Sequence, residues 1–86
     1  MWIIELGFLP TPQRLAARPA HRSRLTTLHA DGIVRMAGPL ANDGGAVIVV
    51  DVPGRTEVDA LIAADPYFGT AGVEVARVRQ WHPFLR

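Results

Sequence analysis

The sequence contains no cysteine. That absence excludes disulfides and thiolate-bound metal, so stability has to come from packing and hydrogen bonds. It also contains no lysine, so all nine basic residues are arginine. Those arginines are scattered, with only Arg14, Arg18, Arg22 and Arg24 loosely grouped, and the formal net charge is +1. Binding to a nucleic-acid backbone needs a concentrated positive footprint, so no nucleic-acid partner is expected. No apolar run is long enough to span a bilayer, and no membrane partner is expected. The opening MWIIELGFLP lacks a basic segment and a small-residue cleavage site. The expectation is therefore a cytoplasmic protein. There is no glycine-rich phosphate loop, because Gly44-Gly45 belongs to a turn. His21, His29 and His82 do not have metal-ligand spacing, so neither a metal nor a cofactor is expected.

What is present is ample apolar material, 49% of 86 residues. The length predicts one domain over residues 1–86. A chain this short buries only about 60–65% of its unfolded surface, so association with a second copy is an economical source of further burial.

Met1 to Phe8 reads as a strand, with Trp2, Ile4, Leu6 and Phe8 alternating on one face. Pro10 and Pro12 end it. Gln13 to Asp31 reads as helical, with a break near Arg18, because a proline at position 19 lacks an amide donor and crowds the preceding turn. Two short helices are predicted, with Pro19 opening the second. Gly32 stops that helix. Ile33 to Leu40 reads as a strand interrupted at Gly38-Pro39. Asn42-Asp43-Gly44-Gly45 is a turn, and Ala46 to Val52 is the returning strand. Thr56 is positioned to cap a second helix, with Asp59 three residues on, and Pro66 ends that helix. Val73 to His82 is the last strand.

The order strand, helix, strand, strand, helix, strand is that of a ferredoxin-like α+β fold. Right-handed crossovers put both helices on one face of a four-stranded antiparallel sheet. The run AVIVVDV is apolar on both faces, whereas a half-covered strand should alternate. The second face is therefore expected to be covered by another copy of the chain, giving a two-fold homodimer or a higher oligomer.

Helical spacing points to one candidate site. His21 precedes Leu25 and Leu28 by four and seven positions and shares their inward stripe. Asp65 lies seven after Val58 on the inward stripe of the second helix, with Leu61 and Ile62. A carboxylate there is costly unless paired or wet. Both helices lie on one sheet face, so His21 and Asp65 are candidates to meet at one cavity. Asp65 would then orient the imidazole for general acid–base work. On this reading His21 sits near a helix N-terminus and Asp65 near a helix C-terminus, both unfavourable for charge. Two readings stand at this point: a chemical pair, or a hydrogen-bonded structural pair. Arg18, three before His21, is a candidate to hold an anionic group, or a salt-bridged surface residue. Arg22 and Arg24 lean away toward solvent. Gly38, Pro39 and Tyr67 are candidates to line the pocket.

The run RPAHRSRLTTLHADGIVRMAGPL, then Ala64-Asp65-Pro66-Tyr67-Phe68, then a closing WHPF, resembles the YciI-like (YCII-related) family over nearly the whole chain. The resemblance implies a ferredoxin-like dimeric α/β barrel. It also implies an active site built around a histidine and an aspartate, which match His21 and Asp65. A few such relatives act on small ring compounds, one of them a dehydrochlorinase of a chlorinated hydroxyhydroquinone. The chain is shorter than many relatives between Pro39 and Val47, which would reshape the cavity rim. The combined expectation is a small-molecule enzyme working by cofactor-independent acid–base chemistry, of isomerase, lyase or dehydrochlorinase type. A non-catalytic metabolite-binding or protein-interaction module is the alternative.

Overall fold

The computed structural model describes residues 1–86. In chain order the elements are β1 (Trp2–Phe8), α1 (Pro12–Ala30), β2 (Val34–Pro39), β3 (Gly45–Val50), α2 (Arg55–Ala64), a 3₁₀ turn (Pro66–Gly69) and β4 (Val73–Gln80). The four strands form one sheet in the order β2-β3-β1-β4, antiparallel at every pairing. This is the ferredoxin-like α+β arrangement.

The alternation in β1 sets which face is buried. Ile4 pairs with Ile48 and Val78, and Leu6 with Ala46 and Val75, so these side chains share one face of the sheet. They join Val34, Val50, Val58 and Tyr67 in a continuous core, against which Leu25 and Leu28 of α1 and Leu61 and Ile62 of α2 pack. Both helices therefore cover the same face. No helix is long and apolar enough to cross a membrane.

The break expected in the first helix does not occur. α1 is continuous for 19 residues, with Pro19 inside it. Pro19 cannot donate to the carbonyl of Leu15, but both residues are exposed, so water reaches the freed carbonyl. Buried Arg14 and His21 hold the helix on either side. Thr11 caps its start, accepting from the Arg14 amide at 3.1 Å, with Pro12 at the first helical position. Because α1 is continuous, His21 lies in mid-helix, and the expected effect of a helix N-terminus on it does not apply.

The second helix also starts differently. Its cap is Gly54, with no side-chain hydrogen bond, and Thr56 lies within the helix. Asp59 is engaged instead with Arg55 at 2.9 Å, an i,i+4 pair. β2 is not interrupted at Gly38-Pro39: both pair with β3. An edge strand tolerates this proline because its nitrogen faces no neighbour. The β2–β3 register shifts between Val34 and Met36. A bulge of this kind re-aims the side chain between them, Arg35. Gly45 is required by close approach, since a Cβ there would collide with the Leu6 carbonyl.

Candidate functional site

A cleft of about 680 Å³ opens between α1 and the edge strand β2. Its α1 wall is formed by Arg18, His21, Arg22, Leu25, Thr26 and His29. These recur at the three- and four-residue spacing of one helix face. Ala37, Gly38 and Pro39 of β2 form the facing wall, and Phe8, Ile48 and Tyr67 form much of the apolar floor.

His21 is buried to 7% exposure and Asp65 to 5%. Their contact is short, with Nδ1 of His21 2.6 Å from Oδ2 of Asp65. Asp65 ends α2 and begins the 3₁₀ turn, in extended conformation rather than as part of the helix. Its other oxygen, Oδ1, accepts from the Tyr67 amide at 3.0 Å. This aspartate turn explains the Asp-Pro-Tyr local sequence: the side chain substitutes for a backbone acceptor, and proline preorganises the next residue. Both carboxylate oxygens thus face donors. With Asp65 as a carboxylate, which can only accept, Nδ1 is assigned as the donor of the pair. In the neutral form of that tautomer Nε2 carries the lone pair; it has no partner in the chain, on a ring that forms part of the cleft wall.

Aromatic rings hold the imidazole in this orientation. Tyr67 stacks on it at 4.0 Å between centroids and 15° between planes, and Phe68 meets it edge-on at 5.5 Å. Asp65 is absent from the cleft lining, so His21 screens it from anything bound there.

Arg14 supports this assembly from below. It is only 2% exposed. Its Nε donates to the Leu9 carbonyl at 3.0 Å and its Nη2 to Asp43 Oδ2 at 3.2 Å, while its guanidinium lies 4.4 Å from the Phe8 ring centre. The neighbouring Tyr67 hydroxyl and then Asp43 hold the Arg14 pKa above its ordinary value, with burial opposing them. The arginine stays charged and ties the β2–β3 turn to α1. Asp43 has a positive φ of 55°, within a turn where the Gly44 amide donates to Asn42 Oδ1 at 2.9 Å.

The structure brings His21 and Asp65 into contact, and Arg18, Gly38, Pro39 and Tyr67 all border the cleft beside them. Gly38 makes no close approach, since a Cβ there would meet open space. Arg22, assigned above to solvent, lines the cleft, as do Arg35, Thr26, His29 and Asp43. Arg14 was missed although its spacing of seven residues from His21 puts it on the same helix face. Trp81 is 39% exposed and is not part of the core.

Protein YciI of Escherichia coli O6:H1 (strain CFT073) is 32% identical over 77 residues, spanning 78% of this chain and 79% of the relative. Protein YciI of Shigella flexneri matches to the same extent, 32% over 77 residues. The family model described as the YCII-related domain matches residues 3–82. The chain belongs to the YCII-related domain family.

Proposed function

We propose that the cleft is the site of a cofactor-independent proton transfer on a small molecule. His21 Nε2 acts as base and then as acid, and Asp65 positions it. The observation that carries this reading is the asymmetry of the imidazole. One nitrogen is held by a buried carboxylate at 2.6 Å, and the other has no partner in the chain, on a ring that lines the cleft. A carboxylate behind the ring fixes the tautomer and stabilises the imidazolium formed when Nε2 takes a proton. The proton comes from a C–H or O–H of the bound molecule. It returns to another atom of that molecule, giving isomerisation, or it stays while a leaving group departs, giving elimination. Both sequences balance without a redox partner.

The test is exchange of carbon-bound hydrogen for solvent deuterium across a panel of small carbonyl and phenolic compounds, using wild type and His21→Gln. The reading expects exchange in wild type and its loss in the folded variant. A compound that binds at the cleft while no compound in the panel exchanges or eliminates makes the protein a binding module.

This reading includes pairing with a second copy through the sheet face away from the helices. Ile3, Val47, Val49 and Met36 share that face by register. Glu5, also on it, is neutralised by Arg79 at 2.9 Å and Arg77 at 3.6 Å. Sedimentation at micromolar concentration tests this: a homodimer that Val47→Glu dissociates supports it, and a monomeric wild type ends it.

A further inference from the structure

We infer that the cleft takes a small organic anion, a single carboxylate or phosphate on an apolar body, with its charge held by Arg18 and Arg22. This rests on the reading of the cleft as a ligand site, but not on what His21 does there.

The charge balance around the opening is uneven. Arg18, Arg22 and Arg35 all line the cleft, and Asp43 is the single acidic residue that does. That carboxylate is already engaged by buried Arg14, through its Oδ2 at 3.2 Å. Arg18 reaches the same oxygen at 3.8 Å, beyond hydrogen-bond distance. One carboxylate cannot neutralise both guanidiniums. Arg22 forms no ion pair with any acidic residue of the chain, while Arg35, across the opening, is 3.6 Å from Asp51. Arg18 and Arg22 are one helical turn apart, so their guanidiniums project from the same rim.

The remaining surface defines the rest of the ligand. Phe8, Ile48 and Tyr67 offer an apolar floor beneath those cations. A cleft of about 680 Å³ is of metabolite size. Like-signed charge around a walled opening focuses its potential inward, attracting anions and excluding cations. Guanidinium also suits carboxylate and phosphate geometry, because it donates two parallel hydrogen bonds.

The experiment is an NMR titration of the isotope-labelled chain with benzoate, phenyl phosphate, benzamide and inorganic phosphate, following the Thr26 and Ala37 amides and the His21 ring. Benzoate or phenyl phosphate should bind at least about tenfold more tightly than benzamide, the scale of one charge-assisted contact. Whichever anion is tighter names the carboxylate or the phosphate as the natural group, and either order supports the inference. In the double variant Arg18→Gln/Arg22→Gln, shown to be folded by the same spectra, that preference should vanish while benzamide binding persists. Benzamide matching the anions, a preference that survives the double substitution, or no response to any probe would overturn the inference. Inorganic phosphate binding as tightly as phenyl phosphate would also overturn it, by removing the apolar body. Anion binding without deuterium exchange leaves this inference standing and removes the enzyme reading. Exchange on neutral compounds without anion preference does the reverse.

Discussion

His21 and Asp65 are 44 positions apart in the chain and 2.6 Å apart in space. The contact joins the middle of α1 to the junction of α2 with the 3₁₀ turn. It therefore couples the two helices as well as orienting the imidazole.

Replacing Asp65 with asparagine tests the orientation directly. The side-chain oxygen must still face the Tyr67 amide, so the NH₂ takes the place of Oδ2. It would donate to Nδ1 and drive the ring proton to Nε2. Long-range ¹H–¹⁵N spectra should show the tautomer invert in Asp65→Asn. Any proton abstraction by Nε2 should fall by about a hundredfold or more. An unchanged tautomer would contradict the donor assignment.

Arg14 should not tolerate lysine. One ammonium cannot meet the Leu9 carbonyl and Asp43 while covering the Phe8 ring as the guanidinium does. Arg14→Lys is expected to cost about 1–3 kcal/mol in chemical denaturation. The Tyr67 hydroxyl and Asp43 raise the Arg14 pKa. Stability from a group whose pKa is raised on folding is complete below its unfolded value and is lost only as pH climbs through the folded one. For an arginine that window is strongly alkaline. The gap between wild type and Arg14→Ala should therefore stay flat from neutral to mildly alkaline pH.

Pro19 is an internal cost that α1 bears. Pro19→Ala restores a donor to the Leu15 carbonyl and removes the ring from the preceding turn. It should stabilise the protein by about 1 kcal/mol or more, raising Tm by roughly 4–8 °C per kcal/mol in a domain of this size. A lower Tm would show that the proline shapes the helix for another reason.

Two glycines on neighbouring strands, Gly38 of β2 opposite Val47 and Gly45 of β3 opposite Gly7, should respond differently to alanine. Gly45→Ala drives a Cβ into the Leu6 carbonyl and should cost about 1–3 kcal/mol by forcing β3 away from β1. Gly38→Ala meets open space on the sheet face it shares with Val47 and should change stability by no more than about 0.5 kcal/mol. Thermal melts of both variants separate the structural glycine from the permissive one.

Much of this architecture is legible along the chain because the signals are local. Two-residue alternation in Trp2–Phe8, the Asn-Asp-Gly-Gly turn and the leucines after His21 each reflect contacts within a few residues. The inward stripes of the two helices were enough to point His21 and Asp65 at one region. The anion-facing arginines were less legible. Arg22 departs from the leucine stripe and reads as a solvent residue, and it lines the site because α1 stands beside an open edge strand. Arg35 depends on a register shift that no local pattern announces.

The sequence by itself determined the order of the elements, the buried face of each and the chemistry available to them, since these follow from periodicity and backbone preference. Tertiary structure decided the rest. It kept α1 unbroken through Pro19, because anchors at Arg14 and His21 and water at the exposed turn outweigh one lost hydrogen bond. It also moved Asp65 out of its helix into a turn whose amide claims one oxygen and leaves the other for the imidazole. Such outcomes depend on which distant groups share a low-dielectric space, and spacing along a chain does not encode that distance.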